Sequence, residues 1–273
     1  KFYGPIRLRE ALVQSVNLVS IKLLREIGIP LTQNYLSRFG FSKPRLAPDL
    51  SLALGSSSFS PAEMVRAFSI LAHSQDPKDL FFIERIEDRN GKTIFQNSQL
   101  KNKKDNIDAF PWFQTQLTEE IKPFYLLPPL SRESFEPIDP RVAFITKDIL
   151  REALSRGSNR KKVQVLNRSD IAGKTGTTND AISTWFSGFH NNLVTTVWVG
   201  TDDFSSLGDN EFGSSIALPA WVDFMKTALP TLPEEDWKIP KGLSYVRVDR
   251  ETGQPVDETS QNSYFELFFD EDI

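Results

Sequence analysis

The sequence predicts an α/β (α+β) fold in which an antiparallel sheet is covered by helices. Three observations carry that expectation. Between 171 and 201 the runs IAGKTGTT, STWFSGF and LVTTVWVG are separated only by Asn179-Asp180 and Asn191-Asn192, which suits three neighbouring strands in a meander. Apolar residues at helical spacing occupy both sides of that stretch. The chain lacks the strand-helix-strand alternation of a parallel sheet.

Taken in order, Pro5 reads as a first-turn residue of a helix through Leu8, Ala11 and Leu12 to about Gln14. The period breaks at Ser15-Val16-Asn17, resumes at Val19, Leu23, Leu24 and Ile27, and stops at Gly28 before Ile29-Pro30. Ser60-Pro61-Ala62-Glu63 has the spacing of a capping box, with Met64, Ala67, Phe68 and Leu71 as the expected inner face. Phe81 to Glu87, Asn90-Gly91 and Thr93 to Phe95 read as a hairpin. From about 97 to 140 periodicity fails in a polar, Pro-rich stretch, read as an irregular insertion. Phe144 to Leu154 is helical, as is Ala217 to Leu229 with Trp221, Phe224 and Met225 inward. The expected organisation is one domain over 1–236 and an extension over 237–273, β-like at YVRVDRETGQPV and then acidic and aromatic.

Composition narrows the chemistry. With 39% hydrophobic and 25% charged residues the chain can bury a real core. A net charge of −4 and pI near 5.4 argue against a nucleic-acid surface, and Lys101 to Lys104 reads as solvated. There are no cysteines and 2 histidines, so thiol catalysis is excluded and a histidine triad or histidine-rich metal site has almost no material. His73 at a helix end and His190 at a turn read as structural or surface residues. No metal or organic cofactor is implied. No window suits a membrane span, and the well-formed start at Lys1 reads as a fragment of something longer.

Lys174-Thr175-Gly176-Thr177 lies within a predicted strand, where glycine is disfavoured unless a backbone or ligand approaches closely. On a strand Thr175 and Thr177 share a face, so two hydroxyls can meet a carboxylate, and Gly176 leaves the edge open to an extended peptide. Lys174 supplies a fixed charge, or a base once desolvated. A Lys-Ser/Thr-Gly tripeptide arises by chance in roughly one chain in seven of this length, so alone it is weak. Ser-x-Asn occurs twice, at Ser15-Val16-Asn17 and Ser260-Gln261-Asn262. The first sits at an interhelical break and can project into a cleft; the second lies in a polar tail.

Ser-x-Asn between helices followed far downstream by KTGT on a strand resembles the penicillin-binding, acyl-serine transferase family. YGPIRLREALVQSVNLVSIKLL, LSLALGSSSFSPAEMVRAFSILA, FIERIEDRNGKTIF, AFITKDILREAL, IAGKTGTTND, WFSGF and VTTVWVGTDD are similar, in order, to the transpeptidase domain of class A penicillin-binding proteins, above all the 1A type. The resemblance covers about 1–97 and 141–229. It implies the penicillin-binding/serine β-lactamase-like fold, incomplete at its N-terminus, and a serine of Ser-x-x-Lys that attacks the D-Ala-D-Ala bond of a peptidoglycan stem peptide. A neighbouring stem's amine then resolves the acyl-enzyme, and β-lactams acylate the same serine. By the same resemblance Ser15 relays a proton near Lys174, and Asn17 binds the substrate amide. Thr175 and Thr177 hold the terminal carboxylate across Gly176, and the Thr177 N–H gives half the oxyanion hole. The implied setting is the outer face of a bacterial inner membrane, through an N-terminal anchor.

The nucleophile departs from the pattern. Ser98-Gln-Leu-Lys101 and Ser158-Asn-Arg-Lys161 match Ser-x-x-Lys, but both follow Ser-x-Asn and neither has an apolar helix to desolvate its lysine. The serine is therefore expected upstream of Lys1, in a missing N-terminal segment. Ser183-Thr184-Trp185-Phe186 also varies from the family's Asp-Ala-Trp-Phe. Alternatives are a D,D-carboxypeptidase or β-lactamase, weakened because Val163 stands where a water-activating glutamate before Leu166-Asn167 would be, or a non-catalytic interaction module of the same fold.

Overall fold

The computed structural model describes residues 4–73, 80, 83–96, 138–178, 181–209 and 211–273 of the 273. They fall into two compact units, one of 1–76 with 136–273 and one of 77–135. The turn Asn179-Asp180, the run Lys101 to Lys104, the pair Ser98 and Lys101, and nearly all of the expected insertion lie outside the described residues.

In the larger unit the chain forms α1 (Leu8–Val13), α2 (Asn17–Ile27), α3 (Ile29–Leu36) and α4 (Pro61–His73). Pro5 precedes α1 rather than opening it, because Arg7 is extended there and stacks over the Tyr264 ring at 4.1 Å. Gly28, at φ 90°, makes the corner between α2 and α3 that a side chain would strain. The capping box at α4 forms as expected: Ser60 N–H donates to Glu63 at 2.8 Å and Glu63 N–H to Ser60 Oγ at 3.3 Å. Its expected inner face largely forms: Ala67 is buried and Phe68 and Leu71 pack against the Phe189 core, with Ile70 the deepest residue and Ala72 beside it.

The smaller unit contains a hairpin, β1 (Arg85–Glu87) with β2 (Thr93–Gln96); Phe81 and Phe82 of the expected first strand lie outside the described residues, Ile83 and Glu84 precede β1, and β2 runs one residue past Phe95. Asp88 organises its turn by accepting the Asn90 and Lys92 N–H groups.

Helix α5 (Pro140–Arg156) is capped by Asp139 and leads through the short α6 (Arg160–Val163) to the sheet. Strands β3 (Ala172–Thr177), β4 (Ser183–His190) and β5 (Leu193–Gly200) form the expected antiparallel meander in the order β3-β4-β5. Side chains alternate between two cores. Phe186 meets Trp221 of α7 (Ala217–Ala228) with ring centroids 4.8 Å apart. Phe189, on the opposite face, packs with Phe144 and Leu150 of α5 and with Trp237. A side chain at Gly188 would strike Trp221 and one at Gly173 would strike Phe186, so this glycine pair admits the large rings. On α7 the inward set is Leu218, Trp221, Val222 and Met225, whereas Phe224, expected inside, is 48% exposed.

The C-terminal segment holds a second hairpin, β6 (Leu243–Asp249) with β7 (Ser263–Phe269). The aromatic end SYFELFF is its return strand. Trp237, Leu243 and Leu267 share the core of Phe189, and Glu266 reaches Arg9.

Arg9 is 8% exposed and fixes α1. Its guanidinium donates to Asp148 at 2.7 Å and Glu152 at 3.0 Å on α5, and to Glu266 on β7 at 2.7 and 2.9 Å. Burial disfavours its charge, but the hydrogen bonds to Glu266, Glu152 and Asp148 outweigh that and hold it above the usual arginine range. Removing one partner of such a buried pair costs about 3–5 kcal/mol. Glu10 adds an outer tie to Arg156 at 2.7 Å.

Lys147 of α5 donates to Ala72 O at the end of α4 (2.8 Å) and lies 4.9 Å from the Trp237 ring centre. Burial pushes its ammonium from the ordinary 10.5 down to about 8. Between those values the unfolded chain binds more protons than the folded one, so stability rises with pH across that window. Denaturant titrations at pH 7 to 10.5 should show this rise in the native protein and a flatter profile in Lys147→Met.

Candidate active site

Helix α1 ends in a two-bond reversal. The Ser15 N–H donates to Leu12 O at 3.1 Å and the Val16 N–H to Ala11 O at 2.8 Å, which is the Schellman pattern. That pattern requires a left-handed residue at its corner, usually glycine, and here it is Ser15 at φ 53°. A side chain in that conformation costs about 1 kcal/mol. The strained corner carries the Ser15 hydroxyl, and α2 begins two residues later at Asn17.

Across from it, Lys174 on β3 donates from Nζ to Ser15 Oγ at 3.0 Å and to Thr175 O at 3.0 Å. Burial holds the Lys174 ammonium below the ordinary lysine range. The cause is desolvation, so the proton is held less tightly and can be shared with an adjacent hydroxyl. Both parts rest on α5: β3 packs along it, and α1 is tied to it by Arg9 and Glu10.

Strand β3 pairs only with β4 among the described residues. Thr178 N–H donates to Ser183 O at 3.1 Å, so strand alternation turns the Thr177 N–H outward, to the unpaired edge. Thr175 O, which accepts from Lys174, faces the same way. The edge can therefore take an extended peptide by main-chain pairing. Lys174 sits opposite Ser187 and Thr175 opposite Phe186, which puts Lys174 and Gly176 on the α5 face and Thr175 and Thr177 on the α7 face. The Thr177 hydroxyl accepts the Gly213 N–H at 2.9 Å and keeps its own proton to donate.

Gly213 was invisible to motif reading. A side chain there would come within 2.6 Å of the Gly176 and Trp185 carbonyl oxygens, so it is the backbone that approaches the KTGT strand closely. A glycine shortly before the predicted helix at Ala217 was the only local signal.

The remaining candidates sort by position. Asn17, in the first turn of α2, is exposed and its side chain has no hydrogen-bond partner among the described residues. Ser260 and Asn262 lie in the β6–β7 connection, where Ser260 N–H bonds to Asp257 O and Asn262 O accepts from Arg250 N–H, so of the two Ser-x-Asn sites the first meets Lys174. Ser158 and Lys161 are exposed beside α6, with nothing to desolvate the lysine. Val163 is 7% exposed in the Trp221 core. His73 bonds Ser69 O and Asn191 O at a helix end. His190 closes β4 rather than sitting in a turn; it is fully buried, accepts the Asn192 N–H at Nδ1 and places Nε2 3.1 Å from both Pro233 O and Asp170.

A family model described as the penicillin binding protein transpeptidase domain matches residues 1–203. Penicillin-binding protein 1A of Pseudomonas aeruginosa is 36% identical, over 99% of this chain and 35% of its own length. The Vibrio cholerae protein of the same name is 32% identical over 98% of this chain and 34% of its own. The chain thus spans about a third of the length of these relatives. The crystal structure of penicillin-binding protein 1A from Haemophilus influenzae superposes with a TM-score of 0.78 at 29% identity, covering 98% of this chain and 40% of that one. A penicillin-binding protein from Mycobacterium tuberculosis shares the fold at TM-score 0.65 and 21% identity, over 87% and 59% of the two chains.

The corner at Ser15 makes a stability prediction. Ser15→Gly relieves the left-handed strain and should raise Tm by about 2 °C, measured by calorimetry. A lower Tm would mean that the hydroxyl contact to Lys174 outweighs the strain.

Proposed function

The chain belongs to the penicillin-binding protein transpeptidase domain family, and from that premise we propose that it is the acyl-transfer portion of a peptidoglycan D,D-transpeptidase within a larger class A wall synthase. The observation that carries the proposal is the 3.0 Å contact between the desolvated Lys174 ammonium and the Ser15 hydroxyl. Neither group is a good nucleophile in this arrangement. Together they make a proton relay.

In this reading a serine outside the described residues gives its hydroxyl proton to the lysine of its own Ser-x-x-Lys motif and attacks the carbonyl of the D-Ala-D-Ala bond. The C–N bond breaks, and the departing D-Ala amine takes a proton delivered through Ser15 from the Lys174 side. An amine from a second stem peptide then attacks the ester and loses a proton to the same relay; the C–O bond breaks and the serine takes back its proton from the lysine of its motif. The outward Thr177 N–H supports the developing oxyanion, where a preorganised donor is worth about 3–4 kcal/mol. Asn17, with its amide unengaged, binds the substrate backbone, and the Thr175 and Thr177 hydroxyls receive the terminal carboxylate beside Gly176. β-Lactams acylate by the same path. The hydrolytic alternative has less support, since Val163 is buried and cannot activate water. The same reading sets the whole protein at the outer face of a bacterial inner membrane; among the described residues no helix is long and apolar enough to cross one.

The test is acylation of the full-length protein by a fluorescent penicillin, followed by mass spectrometry. Lys174→Ala should slow acylation by at least about tenfold, a floor below the roughly 10²–10⁴-fold that general acid–base help contributes. Ser260→Ala should leave the rate unchanged. Equal rates in native protein and Lys174→Ala, or no covalent adduct in the native protein, would sink the proposal.

A further inference from the structure

Ser15 is held by a helix of only 6 residues, too short to fix its own orientation by helical bonding. What orients α1 is its buried side, Arg9, Ala11 and Val13. Two of these are small or apolar and slide easily; Arg9 is directional. Its fork is closed on one side by Asp148 and Glu152 and on the other by Glu266, which it meets through both Nε and Nη2 (2.7 and 2.5 Å). Asp148 and Glu152 each have a second cation, Arg151 and Arg156, both at 2.5 Å. Glu266 is instead held by the Tyr264 hydroxyl at 3.2 Å and the Leu267 N–H at 3.1 Å, both within β7.

We propose that Arg9 and Glu266 are positioning residues for Ser15, so that the C-terminal hairpin sets the geometry of the Ser15–Lys174 contact. Lys174 is referenced to α5 through β3, and Ser15 is referenced to α5 through Arg9. Glu266 completes the third side of the clamp, and a bidentate guanidinium–carboxylate pair resists rotation about the α1 axis in a way that a single bond does not. A left-handed serine persists only where its surroundings over-determine it. The inference rests on the reading of Ser15 as the proton relay.

The experiment is a double-mutant cycle in the full-length protein, read as the second-order rate of acylation by a fluorescent penicillin with Tm measured in parallel. Glu266→Gln should lower the rate by about tenfold, less than the about hundredfold that a misplacement of an ångström costs. In a Ser15→Ala background the same change should cost less than about twofold, because a residue that acts through Ser15 has nothing left to position. Equal cost in both backgrounds shows a general structural role and overturns the proposal. So does an unchanged rate in folded Glu266→Gln when Ser15→Ala is slow. An unchanged rate in Ser15→Ala itself overturns the relay reading, and this inference with it. If Glu266→Gln is unfolded at the assay temperature, the charge-preserving Glu266→Asp runs the same cycle.

Discussion

One buried guanidinium ties three parts of the larger unit together. Arg9 lies on a short helix, its partners lie on a long helix and on a terminal strand, and each of those elements has another task. Helix α5 packs along the KTGT strand and shares the Phe189 core. Strand β7 closes the aromatic hairpin. A buried charge is tolerated only when fully paired, so the three elements have to arrive in one relative arrangement. That arrangement brings the end of α1 to Lys174.

The site itself combines two unfavourable features that support each other. A lysine ammonium is desolvated, and a serine backbone is left-handed. Each is disfavoured alone. Their contact gives Lys174 a neutral oxygen partner that does not restore its affinity for the proton as a carboxylate would. Had an Asp or Glu faced Lys174, its proton would be fixed. On α5, Asp148 and Glu152 are engaged by Arg9, Arg151 and Arg156.

The β3 edge shows the same economy. Its N–H and C=O groups alternate between β4 and the open side, so the Thr177 N–H is free in the direction where Lys174 also bonds the Thr175 carbonyl. On the other side Gly213 lies against the Gly176 carbonyl and donates its N–H to the Thr177 hydroxyl. The strand is therefore held from the α7 face and, among the described residues, left unpaired along its edge.

Much of this was legible in the sequence. Helix and strand periods, the Ser60/Glu63 capping box, the Asn90-Gly91 turn and the three-strand meander are local patterns, and local patterns are written in neighbouring residues. The family was legible too, because KTGT and its flanking runs are contiguous. Local pattern misjudged Phe224 and the place of Pro5, since which flank of a helix is covered, and where its first turn begins, depends on the partner. It read SYFELFF only as an aromatic end. The sequence already favoured Ser15 over Ser260; only the tertiary structure put the Ser15 hydroxyl within hydrogen-bond reach of Lys174 and paired Arg9 with Glu266. These contacts join residues 159 and 257 positions apart. No local period encodes them, because each forms only when elements far apart in the chain pack against a common neighbour, here α5.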